Sequence, residues 1–212
     1  MTTDEKEKIL RVHPIFKGLD EKAIKAVAEK MQAKIFPPKT IIFNQGEEAH
    51  EVYFIYKGLI KAYIINREGK PVPIGVPRMR YILGEVEPLV NELRSITVET
   101  ILETHSLLIT KKEYVAMLTT YNSISLNIMK VMADIVIVAN KQRENTVTLP
   151  LKDRTWAMLQ TLATQFPHQE ISLSQEELAY MVGGTRARIT EILNLLQKQQ
   201  LLSLANRKIK VL

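Results

Sequence analysis

Cysteine is absent from all 212 residues. That absence removes disulfides, iron–sulfur clusters, thiolate zinc sites and cysteine nucleophiles together, and fits a cytoplasmic protein without requiring one. Histidine is scarce, and His13, His50, His105 and His168 lie far apart. There is no His-Glu-x-x-His pair, no glycine-rich phosphate loop and no Gly-x-Ser-x-Gly elbow, so no catalytic residue, no metal site and no enzyme are expected. Long apolar runs are missing too. The longest, Val131 to Ala139, is broken by Asp134 and falls well short of the ~20 residues that cross a bilayer. Met1 to Lys8 is polar and charged, unlike a secretory signal. No membrane partner is expected.

What is present is ordinary in bulk, with 46% apolar and 25% charged residues. The net charge of +6 and isoelectric point near 9.4 suit an anionic partner. From about Lys34 to Thr110 the chain is a series of short β-rich runs: Ile41 to Phe43, Val52 to Tyr56, Leu59 to Ile65, Ser95 to Leu102 and Ser106 to Thr110. Turn residues such as Asn44-Gln45-Gly46 and Asn66-Arg67-Glu68-Gly69 separate them. This spacing predicts a small barrel or sandwich, preceded by helices at about Thr3–Arg11 and Asp20–Met31.

Near Lys111 the period changes. Ser123 to about Val147 reads as one long helix without Pro or Gly. One face carries Ile128, Met132, Ile135 and Ala139, and a second carries Leu126, Met129, Ala133 and Val136. A helix apolar on two sides must be covered on two sides. A barrel on one face and a second copy of the same helix on the other would do this, as a short parallel coiled coil; burial within a monomer is the alternative. Pro150 then disfavours helix at Leu149 and marks a hinge. A further helix, about Leu151 to Gln165, follows with Trp156 as a core residue.

The most specific stretch is Ser174 to Leu196. Ser174 and Glu177 form a capping box that opens a short helix, and Gly183-Gly184 supplies its left-handed stop. Thr185 caps a second helix reaching about Gln199. Ala179 provides the small residue where two steeply crossing helices approach, and Ile189 and Ile192 provide an apolar inner face. This is a helix-turn-helix pattern, whose second helix enters the major groove N-terminus first. Arg186 and Arg188 stand in the first turn of that helix, where the macrodipole disfavours cations by up to ~1 kcal/mol each. Contacts to guanine or phosphate would offset the cost. Leu201 to Leu204 and Ile209 to Leu212 can pair as a hairpin, making Arg207, Lys208 and Lys210 a basic wing. The candidate DNA-binding residues are Ser174, Gln175, Thr185, Arg186, Arg188, Thr190, Glu191, Arg207 and Lys208.

In order and spacing, the chain from about His13 to Leu212 resembles the CRP/FNR superfamily of bacterial regulators. The telling pieces are Pro37 to Glu47, Tyr53 to Lys61, Gly84-Glu85 with Arg94-Ser95, and the helix-turn-helix. The resemblance implies an α+β fold: an N-terminal double-stranded β-helix or jelly-roll barrel, a long dimerisation helix and a C-terminal winged helix-turn-helix. The expected division is 1–121 for the cyclic-nucleotide-binding-like effector domain, 122–148 for the dimerisation helix and 149–212 for the DNA-binding domain. It also implies a homodimer on an inverted repeat of double-stranded DNA, with RNA polymerase as a further partner.

By resemblance, Gly84, Glu85, Arg94, Ser95 and Asn140 form the effector site. Glu85 would take the ribose hydroxyl and Arg94 the cyclic phosphate, with Asn140 near the base. The chain departs from the family where Val86-Glu87-Pro88 replaces a small residue and an apolar run. A second carboxylate at Glu87 is unfavourable beside an anion unless it points away. Asn140-Lys141 replaces a hydroxyl pair, and Ala187 and Glu191 replace a glutamate and an arginine of the usual recognition helix. Two readings stay open for the barrel: a cyclic nucleotide or other small molecule as effector, or an internal Glu85–Arg94 ion pair with a different effector or none. A signalling module that acts through a protein partner, without specific DNA binding, is the competing class.

Overall fold

The computed structural model describes residues 1–69, 71–74, 82–164, 166–205 and 208–212. Two helices open the chain, α1 (Thr3–Val12) and α2 (Glu21–Lys30). Both start where a side chain replaces a missing backbone partner: Thr2 and Glu5 form a capping box, and Asp20 accepts from the Ala23 N–H.

Among the described residues eight strands follow: β1 (Gln32–Phe36), β2 (Ile41–Phe43), β3 (Glu51–Lys57), β4 (Ile60–Ile65), β5 (Pro71–Pro73), β6 (Ile82–Leu83), β7 (Thr97–Thr100) and β8 (Thr104–Thr110). They make two four-stranded antiparallel sheets, ordered β1-β8-β3-β6 and β2-β7-β4-β5. Alternation along β3 explains the layering. Tyr53 and Ile55 point into the barrel with Phe43, Ile60, Leu83 and Val98. Val52 and Phe54 point outward, into a second core with α1, α2 and the helix α4 (Lys111–Thr120). Because both faces of β3 are buried, it reads in the sequence as a continuous apolar run rather than an alternating one. Between β6 and β7 lies the single-turn helix α3 (Glu87–Val90).

Helix α5 (Asn122–Thr148) is 27 residues long. Ile124 and Ile128 are buried in the outer core, and Met132 packs against it. The opposite face is bare: Leu126, Met129 and Val136 are 50%, 57% and 58% exposed. By length and composition α5 could cross a membrane, yet its exposed apolar residues are not spread around the helix. Leu126, Met129, Ala133, Val136, Asn140, Arg143 and Val147 recur at alternating spacings of three and four, the a/d seam of a two-stranded coiled coil.

Pro150 starts α6 (Leu151–Ala163), followed by β9 (Glu170–Ile171), α7 (Gln175–Val182), α8 (Arg186–Lys198), β10 (Leu202–Ala205) and β11 (Lys208–Val211). The last strands form a three-stranded sheet, β10-β11-β9. Leu159, Leu162, Ile171, Leu178, Ile189, Leu193 and Ile209 fill one core, and Leu59, from the turn between β3 and β4, is buried in it. The C-terminal unit is therefore seated on its own barrel. This is an α+β chain of barrel, long helix and winged helix-turn-helix, the architecture expected from the sequence.

Candidate DNA interface and effector cavity

The helix-turn-helix is built by local rules. Ser174 Oγ accepts from the Glu177 N–H at 3.1 Å, and Glu177 Oε2 accepts from the Ser174 N–H at 2.9 Å. The helix ends at Gly183 with φ of +64°, a conformation glycine adopts without the Cβ penalty. Its N–H, and that of Gly184, return to carbonyls of the last turn. Thr185 Oγ1 accepts from the Arg188 N–H at 3.4 Å and opens α8. Ala179 is buried at the crossing, and Ile189 is buried beneath α8. Ile192 is only partly buried; Leu193 takes the inner place expected of it, because a 3.6-residue period turns the fourth residue, not the third, closer to the core.

A groove of about 620 Å3 brings Ser174, Gln175, Arg186 and Lys208 together, between the start of α7, the first turn of α8 and the wing. Thr190 lies beside it, its hydroxyl 2.6 Å from Gln175 Oε1. Thr185, Arg186 and Arg188 are exposed. Arg188 Nη1 lies 2.8 Å from Glu191 Oε2, so these two candidates present a paired surface rather than two independent ones. Lys208 Nζ lies 2.7 Å from Glu170 Oε2, which holds the Glu170 carboxyl below its ordinary range. The partner strand β9 had no clear mark in the sequence, being two residues long. Arg207 falls outside the described residues.

Two contacts tie this unit to the rest of the chain. Arg154 donates to Thr146 O and to Gly183 O, each at 3.0 Å, so it clamps the end of α5 to the turn of the helix-turn-helix. Lys61 of β4 reaches both Glu99 and Glu177, at 3.2 and 3.1 Å.

Between the barrel and α5 lies a cavity of about 390 Å3. Phe43, Ile60 and Leu83 line it from the sheets, and Met132, Ile135 and Ala139 from α5. Gly84, Glu85, Glu87 and Ser95 form its polar end. Asn140 is exposed and does not line the cavity of its own chain; it lies on the seam face of α5.

Arg94 is 3% exposed and lies behind this polar end. Its Nη1 donates to Gly84 O at 3.0 Å and its Nη2 to Glu51 O. Its guanidinium carbon stacks 4.2 Å from the centre of the Phe43 ring. A Cβ on Gly84 would fall 2.1 Å from Arg94 Nη1, and Gly84 has φ of +69°, so a side chain here would be strained and would displace the guanidinium. The carboxylate beside Arg94 Nη1 is that of Glu87, at 3.6 Å. Glu87 Oε1 accepts from the Ser95 N–H at 3.1 Å and from the Ser95 hydroxyl at 2.6 Å. Glu87 thus points into the site, the arrangement that is unfavourable beside an anionic ligand. Burial pushes its pKa up, but the two Ser95 bonds and Arg94 prevail and hold it below the ordinary value. Burial dominates at Glu85, whose carboxyl is pushed up to about 7. Among the described residues no group of three potential metal ligands converges.

Two family models match this chain: a cyclic nucleotide-binding domain over residues 33–121 and a Crp-like helix-turn-helix domain over residues 153–212. The chain is 25% identical over 201 residues to a CRP-like cAMP-activated global transcriptional regulator of Mycobacterium tuberculosis, covering 88% of this chain and 87% of that one. It is 25% identical over 183 residues to the cAMP-activated global transcriptional regulator CRP of Salmonella typhimurium, covering 83% and 87%. Among solved structures, the c-di-GMP responsive regulator CLP of Xanthomonas campestris shares the fold with a TM-score of 0.76 at 18% identity, covering 91% and 99%. FixK2 of Bradyrhizobium japonicum does so with a TM-score of 0.73 at 16% identity, covering 85% and 92%. With both halves matched in chain order, this chain belongs to the CRP/FNR family of transcriptional regulators.

Proposed function

We propose that this protein is a sequence-specific DNA-binding regulator whose affinity for DNA is set by a small molecule held between the barrel and α5. The observation that carries the DNA reading is the exposed first turn of α8. Arg186 faces a groove shared with Ser174, Gln175 and the wing residue Lys208. Arg186, Arg188 and Glu191 would read base edges, while Ser174, Gln175, Thr185, Thr190, Arg207 and Lys208 would fix the register on phosphates. The bare seam of α5 supports a homodimer through residues 122–148, with 1–121 as effector unit and 149–212 as DNA-binding unit. Two recognition helices about 34 Å apart would select an inverted repeat. The protein acts in the cytoplasm, with RNA polymerase as its further partner.

The proposed coupling runs through three contacts. A ligand against Met132, Ile135 and Ala139 displaces α5, and the Arg154 clamp passes that displacement to the helix-turn-helix. The Lys61–Glu177 pair sets the energy of the docked arrangement. Selection from a random duplex pool tests the DNA reading: an inverted repeat should be enriched, and enrichment of no sequence by the dimer, with or without small molecules, would refute it.

A further inference from the structure

The anion cradle of a cyclic-nucleotide site has to offer the phosphate a guanidinium and free donors from the residue beside it. Here the Ser95 donors are already used. Both the N–H and the hydroxyl of Ser95 are given to Glu87 Oε1. Arg94 gives one N–H to Gly84 O and one to Glu51 O, its Nη1 lies 3.6 Å from the Glu87 carboxylate, and its buried Nε has no partner among the described residues. Arg94 and Glu87 are 3% and 6% exposed, so water does little to screen the pair, and a phosphate brought alongside would meet a like charge in a poorly screened place. Glu87 is also held at its backbone. It is the first residue of α3, its carbonyl accepts from the Glu92 N–H, and Pro88 follows it directly, fixing the next backbone angle. In this arrangement Glu87 holds both Ser95 donors that a cyclic phosphate would need.

The rest of the cavity has a different character. Phe43, Ile60, Leu83, Met132, Ile135 and Ala139 give it apolar walls, and about 390 Å3 is room for a small organic molecule. With Glu87 and Ser95 satisfied by each other, Glu85 is the remaining polar side chain among the described residues of the lining.

We infer that the carboxylate of Glu87 is a built-in substitute for the nucleotide phosphate, and that the cavity takes an uncharged, mainly apolar small molecule. This rests on the proposed use of the same cavity as the effector site, and it specifies the ligand class. The elevated pKa of Glu85, about 7, agrees with an apolar occupant. When protonated, this acid can donate a hydrogen bond to a carbonyl or hydroxyl without placing a bare charge beside an apolar ligand.

The test uses the full-length protein, with the neutral fluorophore N-phenyl-1-naphthylamine as apolar probe and cyclic AMP and cyclic GMP as nucleotide probes. The fluorophore should bind the wild type saturably at about one per chain, undisturbed by about 1 mM of either nucleotide. Ala139→Trp, which fills the cavity from α5, should weaken the fluorophore about tenfold or more. Glu87→Ala frees Ser95 and Arg94, and should raise cyclic AMP affinity at least about tenfold over wild type by calorimetry. Glu87→Gln keeps an acceptor for Ser95 while removing the charge. It guards against a fold defect and should move affinity in the same direction by a smaller factor. Wild-type binding of either nucleotide in the micromolar range, lost in Arg94→Ala, would overturn the inference. So would failure of the fluorophore to bind, or the absence of any nucleotide gain in both folded Glu87 variants. None of these readouts involves DNA, so failure here leaves the DNA reading standing, and failure to bind DNA leaves these outcomes intact.

Discussion

Lys61 Nζ lies 3.1 Å from Glu177 Oε1, which joins the barrel to the residue that caps the first helix of the helix-turn-helix. The ammonium is partly buried, which would lower its pKa, but Glu177 and Glu99 prevail and raise it. A pair this shielded is worth more than a fully exposed one, though still on the order of 1 kcal/mol. Lys61→Met should therefore loosen the seating of the C-terminal unit without unfolding either part. Limited proteolysis at Thr148 to Pro150 should run about threefold faster in this variant, and Lys61→Arg should restore the wild-type rate. An unchanged cleavage rate in Lys61→Met would show that Leu59 and its apolar neighbours alone hold the units together.

The two glycines with assigned duties should fail differently. At Gly183, φ of +64° strains any side chain but the space is open, the nearest atom, Arg154 Nη2, being 4.0 Å away. Gly183→Ala should cost on the order of 1 kcal/mol. At Gly84 an added methyl also strikes the Arg94 guanidinium, so Gly84→Ala should cost more, about 2–3 kcal/mol, through strain and a broken buried network. Thermal melts of the two variants should rank in that order; equal losses would mean Arg94 can move freely.

Stability should also respond to pH through Glu85. Burial lifts its pKa from 4.5 to about 7, Glu87 adds to the rise and Arg94 opposes it. Between these values the unfolded chain has released its proton while the folded chain keeps it, so this group's contribution to stability falls as pH rises from about 4.5 to 7. Glu85→Gln should flatten that part of the profile and melt higher than wild type at pH 8. Glu87 works in the opposite sense, its contribution being lost as pH falls below the ordinary carboxylate range. Parallel melting profiles for wild type and Glu85→Gln between pH 5 and pH 8 would contradict this assignment.

Asn140 occupies an a position of the α5 seam, in line with Leu126, Ala133 and Val147. A polar residue there fixes register and partner number at a cost in stability. Sedimentation should find Asn140→Ile a tighter dimer than wild type, and Val136→Lys a monomer with weakened operator binding. If Asn140→Ile dissociated instead, Asn140 would be making an interchain contact that an apolar residue cannot replace.

The parts of this molecule governed by neighbouring residues were legible in the sequence. The Ser174–Glu177 box, the Gly183 stop and the Thr185 cap each need only a few residues in order, and the wing hairpin needs only two apolar runs and a turn. The long helix was visible through its two faces. What escaped the sequence depends on contacts across the fold. Glu87 meets Ser95 because α3 turns the chain back on itself, and Lys208 meets Glu170 because β9 joins the wing. The acidic residue in an otherwise anion-binding stretch was the available signal, but its direction could not be known before α3 was placed. The role expected of Asn140 moved for a similar reason: a helical position is assigned to cavity or seam only when the helix phase against the barrel is known.

The most direct test of the account is a titration of the full-length dimer against its selected inverted repeat and a scrambled duplex, by fluorescence anisotropy across a salt series. Specific binding should exceed nonspecific binding by at least about 10³-fold. Arg186→Ala and Arg188→Ala should erase most of that preference, each by about 1–3 kcal/mol. Lys208→Ala should weaken both duplexes alike and reduce the logarithmic salt slope by about 1. Equal affinity for both duplexes, unmoved by either arginine substitution, would contradict a sequence-reading role for α8.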